Sequence, residues 1–82
     1  MEFALQETLA AAEVKRIRKK LKLKQRELAS LMGVSVKTVE YWESRQGTAK
    51  GAAAALLCIL REHPEMLEEL LIPEKELPLR LR

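Results

Sequence analysis

Residues 25 to 43 read QRELASLMGVSVKTVEYWE, and the glycine in their middle, Gly33, restricts the possible folds more than any other feature of the chain. Before it, Leu28, Ala29, Leu31 and Met32 share one face at helical spacing, with Gln25, Arg26 and Glu27 filling the first turn. Glycine adopts the left-handed backbone that stops a helix without a Cβ clash, so a helix of about eight residues ending at Gly33 is expected. After the glycine, Ser35 carries a hydroxyl that can accept a backbone N–H, and Val39 and Trp42 fall on one side at i, i+3. A second short helix, over about residues 35 to 44, follows from that pattern. Two short helices joined by so tight a turn must pack against each other, leaving the far side of the second one outward.

The flanking segments also read as helical. Upstream, Val14, Ile17 and Leu21 recur at i, i+3 and i+7 while Lys15, Arg16, Arg18, Lys19 and Lys20 occupy the other faces, which predicts an amphipathic helix over residues 9 to 21. Ala10 to Ala12 favour helix and leave its beginning open. Downstream, Gly47 and Gly51 bracket a loop, RQGTAK, and AAAALLCILREH then predicts a fourth helix through Leu56, Leu57, Ile59 and Leu60. Pro64 suits the first position of a fifth, PEMLEELL, with Leu67, Leu70 and Leu71 on one side and Glu65, Glu68 and Glu69 on another. The end, IPEKELPLRLR, has prolines and no helical period, so an extended tail is expected. No segment reads as a strand. The expected architecture is all-α, a five-helix domain over residues 13 to 72. Residues 1 to 12 form an extension or the start of the first helix, and residues 73 to 82 a flexible tail.

Charge narrows the function. The net charge of +3 is unevenly placed: residues 13 to 50 hold 11 basic and 4 acidic side chains, and each flank carries a net −2. A basic centre suits a polyanion partner, and it also suits a solvated basic helix face. One cysteine, Cys58, cannot form an internal disulfide, and with a single histidine it falls short of a zinc site. Cys58 lies in the apolar fourth segment and is expected in the core, while His63 reads as a junction residue before Pro64. No apolar run reaches the ~18 to 20 residues of a membrane span and no signal peptide is evident, so a soluble, cytoplasmic protein is expected. There is no glycine-rich phosphate loop and no nucleophile with a base spaced to converge on it. The expectation is a protein without enzymatic activity, cofactor or metal.

On these residues the chain resembles a known family. IRKKLKLKQRELASLMGVSVKTVEYWE is similar to the Xre/Cro-type helix-turn-helix of phage repressors and bacterial regulators, through Q-x-E-L-A-x-x-x-G-V-S-x-x-T-V-x-x-W-E. ALLCILREHPEMLEELL is similar to the end of the DNA-binding domain of MqsA and of HigA-type antitoxins. Together the likeness covers residues 13 to 71. It implies a lambda-repressor-like fold whose third helix lies in the major groove of double-stranded DNA. Carried over, the base contacts fall on Ser35, Val36, Lys37, Thr38 and Tyr41, with Glu40 as a neighbour. Gln25, at the start of the second helix, faces a phosphate, and Arg18, Lys22, Lys24 and Arg26 are flanking phosphate candidates.

The chemistry of the residues agrees in part. Lys37 and Tyr41, four apart, share a face offset from that of Val39 and Trp42. Lys37 can donate to guanine O6 or N7, Val36 can meet a thymine methyl, and Tyr41 can reach a phosphate or a base edge. The plainer alternatives are a solvated Lys37 and a packed Tyr41; Trp42 reads as core. Family members also pair an arginine at Arg18 with the glutamate at Glu43, which competes for the same guanidinium. Lys24 stands where the family has Ser, Thr or Asn, Lys22 where a glycine is common, and Ala49 where a loop proline is common. Each lysine weakens a local cap by about 0.5 to 1 kcal/mol and adds positive charge beside the expected phosphates.

Two half-sites about one DNA turn (~34 Å) apart need a twofold interface. Met66, Leu67, Leu70 and Leu71 are the candidates, against the alternative that they complete the monomer core. The expected function is a homodimeric, sequence-specific DNA-binding regulator that represses from an inverted-repeat operator. The alternative is an antitoxin whose main task is binding a toxin protein, with DNA binding serving autoregulation.

Overall fold

Two strands of three residues each, absent from the expectation above, frame the helical part of the chain. The protein is described here by a computed structural model over residues 8–70; Leu71 and the expected tail over 73–82 lie outside the described residues. Strand β1 (Thr8–Ala10) leads into helix α1 (Ala11–Lys20), followed by α2 (Gln25–Met32), α3 (Val36–Trp42), strand β2 (Thr48–Lys50), α4 (Gly51–Glu62), a 3-10 turn (Pro64–Met66) and the short α5 (Leu67–Leu70). β1 and β2 pair antiparallel with Leu9 opposite Ala49. The fold is therefore mostly helical with a small sheet, not all-α. Thr8–Ala10 stands where the first helix was expected to begin, and half of the RQGTAK loop is strand. Leu9 and Ala49, 1% and 0% exposed, close that end of the core, and the ladder satisfies main-chain groups that burial would otherwise orphan.

Helices α1 and α2 end alike. After α1, Lys22 takes φ 61°, with its N–H donating to Lys19 O at 3.0 Å and that of Leu23 to Arg18 O at 3.2 Å. After α2, Gly33 takes φ 72°, with its N–H donating to Ser30 O at 3.2 Å and that of Val34 to Ala29 O at 3.0 Å. Each pair of bonds ties up the last carbonyls and turns an apolar residue, Leu23 or Val34, back against the core. Gly33 adopts the left-handed backbone freely; Lys22 adopts it against the clash of its own Cβ. At the start of α2, Lys24 has no side-chain acceptor to offer. Its N–H instead donates to Glu27 Oε1 at 2.7 Å, one half of a capping box. α3 has the expected cap, with Thr38 N–H donating to Ser35 Oγ at 3.1 Å.

The core gathers Val14 and Ile17 from α1, Leu28 and Ala29 from α2, Val39 and Trp42 from α3, and Ala54, Leu57 and Leu60 from α4. Cys58, expected inside, is only half-buried, because the buried face of α4 runs through Leu57 and Leu60 and residue 58 points about 100° away from 57. Arg61 Nη1 lies 3.3 Å from Glu13 Oε2 and joins α4 to α1. The fifth helix expected at PEMLEELL begins as a tight turn, closed by Met66 N–H donating to His63 O at 3.0 Å, and buries none of its described residues. Proline removes an N–H and fixes φ, which favours such a short i, i+3 closure.

Candidate nucleic-acid interface

Helix α3 is anchored on one side by Val39 and Trp42, 0% and 7% exposed. At ~100° per residue, Val36, Glu40, Lys37 and Tyr41 then spread over about 140° of the other side. All four are exposed, Tyr41 at 56%. The adjacent aromatics thus face opposite ways, Trp42 into the core and Tyr41 out of it. Ser35 is exposed at the helix start, but its Oγ is engaged by the Thr38 N–H and lies 3.0 Å from Thr38 Oγ1. Thr38 is half-buried. These two hydroxyls serve the cap first, which leaves Val36, Lys37 and Tyr41 as the outward members of the expected base-contacting set.

Behind this face sits an ion pair that fixes α3 to α1. Arg18 Nε donates to Glu43 Oε2 at 2.6 Å and Nη2 to Glu43 Oε1 at 2.9 Å, while Nη1 donates to Leu23 O at 2.9 Å. The two side chains are 12% and 4% exposed. The forked geometry satisfies both carboxylate oxygens, as a nearly dry pair requires. The hydrogen bond to Glu43 holds the Arg18 guanidinium above its ordinary range, with partial burial opposing it and the carboxylate charge adding to it. Of the two roles open to Arg18, the structure shows the pairing. Gln25 joins the same group, its Nε2 donating to Glu43 Oε1 at 3.3 Å. The start of α2, the last turn of α1 and the end of α3 therefore meet at one carboxylate. Lys22, Lys24 and Arg26 are exposed along the α1–α2 turn and the first turn of α2.

Three residues absent from the expected site support or extend it. Gly47 is buried, and a Cβ there would lie 1.5 Å from the Tyr41 carbonyl oxygen. The Ser44 hydroxyl donates to the same oxygen at 2.7 Å, so the backbone that carries Tyr41 is held from two sides. Arg45, just past α3, is exposed and adds a cation; its place in the basic segment was the only signal in the sequence. At the other end of the chain, Met66 and Leu70 are each 44% exposed and Ile59 45%, while Leu67 packs against the core. Of the expected interface residues, then, Leu67 belongs to the monomer, Met66 and Leu70 stay outward, and Leu71 lies outside the described residues.

Residues 4–71, a span that takes in every element described, match the model of a family described as the antitoxin component of a bacterial toxin–antitoxin system, MqsA. The chain belongs to the MqsA antitoxin family. Among curated proteins none matches it. The MqsA match includes both the α2–α3 unit and the apolar end at α4 and α5, so the outward side of α3 and the exposed apolar residues are parts of one family unit. No helix among the described residues of this MqsA-family chain is long and apolar enough to cross a membrane.

Proposed function

We propose that this protein binds double-stranded DNA sequence-specifically as a dimeric repressor. In this reading α2 and α3 form a helix-turn-helix of the Xre/Cro kind, and α3 lies in the major groove of each half of an inverted-repeat operator. One observation carries it: α3 buries Val39 and Trp42 and turns Val36, Lys37 and Tyr41 outward, inside the segment that holds 11 of the 15 basic side chains. Lys37, Val36 and Tyr41 meet base edges, with Ser35 and Thr38 at the helix start. Gln25, Lys22, Lys24 and Arg26 meet phosphates and set the register. Arg18 acts through Glu43 by holding α3 in place. Met66 and Leu70 supply the twofold contact. The protein works by occupying DNA, without enzymatic chemistry or cofactor.

A second reading is supported by the family description and by the exposed Ile59, Met66 and Leu70. Here the main task is to hold a toxin protein at the apolar end, and DNA binding serves autoregulation. Selection from random duplexes at physiological salt tests the first reading: it is expected to enrich an inverted repeat with half-sites about one turn apart, and recovery of no motif overturns it. Co-expression with a toxin protein tests the second, through recovery of a stable complex that Met66→Glu or Leu70→Glu disrupts.

A further inference from the structure

We propose that Glu40 makes α3 select cytosine at one position of each half-site, its carboxylate accepting a hydrogen bond from the N4 amino group. The inference rests on the reading of α3 as the DNA-facing helix. Residues 13 to 50 contain four acidic side chains, and three of them are engaged within the fold. Glu13 pairs with Arg16 and Arg61. Glu27 accepts the Lys24 N–H. Glu43 accepts from Arg18 and Gln25. Glu40 is exposed and has no hydrogen bond or ion pair among the described residues. Seen down the helix axis it lies between Val36 and Lys37, in the arc opposite Trp42.

A carboxylate on a phosphate-facing surface weakens binding to every sequence alike, unless a base edge offers it a donor. The major groove offers two amino groups, cytosine N4 and adenine N6. Beside N6 adenine places the N7 acceptor, whose lone pair repels the second carboxylate oxygen; guanine shows only O6 and N7, both acceptors; thymine shows O4 and a methyl. Cytosine N4 has an acceptor on one side only, the O6 of its paired guanine, whereas adenine N6 lies between N7 and the thymine O4, so cytosine is the base that a glutamate tolerates best. Lys37, ~60° away on the same face, has the opposite preference and suits guanine. The two side chains therefore give α3 a reading of G and C in which each rejects the other's base.

The test uses the full chain, its Glu40→Ala and Glu40→Gln variants, the selected duplex with all four bases at each half-site position, and a scrambled duplex, all at one salt concentration. Wild type is expected to prefer cytosine at one position. Glu40→Ala should reduce that preference by roughly tenfold at that position alone, and it should bind the scrambled duplex more tightly than wild type. Glu40→Gln should move the preference toward adenine, whose N6 and N7 match a carboxamide. Unchanged thermal melting of both variants confirms that the fold is not involved. If wild type selects a motif and neither variant alters any position, or if Glu40→Ala weakens all sequences equally, the assignment to Glu40 is overturned while the DNA reading of α3 stands. If wild type selects no motif, both fall together.

Discussion

Tyr41 and Trp42 sit side by side in sequence and face opposite ways because a helix turns by ~100° per residue. That division was legible in advance, since Val39 and Trp42 mark the buried side by their spacing. Gly33 as the stop of α2 and Ser35 as the cap of α3 were equally legible, each through the chemistry of a single residue. Lys22 was visible only as a departure from the usual glycine, and its φ of 61° gives that departure a physical cost. Lys22→Gly should therefore raise stability by about 0.5 to 1 kcal/mol, read as a rise of a few degrees in the melting midpoint. A lowered midpoint would mean that the lysine side chain contributes more than its backbone loses. The outward residues should separate by role. Lys37→Ala should change preference at one base position by ~1 to 3 kcal/mol with stability unchanged, whereas Lys24→Ala or Arg26→Ala should weaken all sequences evenly and lower the salt slope by about one.

The helices pack on one another through a few exacting contacts. The Arg18–Glu43 pair joins α1 to the end of α3 with both side chains nearly out of solvent. Glu43→Gln keeps the shape but leaves a buried cation without its counter-charge. A loss of about 3 to 5 kcal/mol is expected in chemical denaturation, with part of it recovered when Arg18→Met is added. Because the folded-state value of Arg18 is raised, the contribution is present below the ordinary arginine range and is lost only as pH rises through the higher folded value, in strong alkali. Gly47→Ala places a Cβ against the Tyr41 carbonyl and should cost at least about 3 kcal/mol, more than any substitution on the outer face of α3. The ion pair was foreseeable only through family likeness. The Gly47 contact was not foreseeable, because a close backbone approach depends on how tightly the chain curls back after the end of α3, which no side-chain pattern records. The strands escaped notice for a simpler reason: three residues are too few for alternation to register, and alanine is a poor strand former, so Thr8–Ala10 and Thr48–Lys50 exist only because each finds the other.

For the molecule as a whole, the placement of charge was the clearest signal in the sequence, and the end of the chain the weakest. Leucines at helical spacing in PEMLEELL left open a twofold interface or a monomer core, and the structure divides them: Leu67 packs half-buried against the core while Met66 and Leu70 stay exposed. Spacing tells which residues share a face and not whether another element covers it. Met66 and Leu70 remain 44% exposed, so changing them should leave the monomer folded. Sedimentation of Met66→Glu or Leu70→Glu is expected to show monomers with unaltered melting, and binding to paired half-sites should lose its cooperativity. Variants that stay dimeric would move the twofold contact elsewhere on the surface. The two proposed roles, operator binding and toxin binding, draw on the same exposed Met66 and Leu70, and operator binding alone depends on α3 facing DNA. The decisive comparison is the affinity of the full chain and of Lys37→Ala for the selected duplex and for a scrambled one, at equal physiological salt. Wild type should favour the selected duplex by at least about 10³-fold, and Lys37→Ala should cut that ratio by tenfold or more while changing scrambled binding only a few-fold. Equal affinity for both duplexes, or a ratio that Lys37→Ala leaves untouched, would contradict the assignment of α3 as the helix that reads DNA.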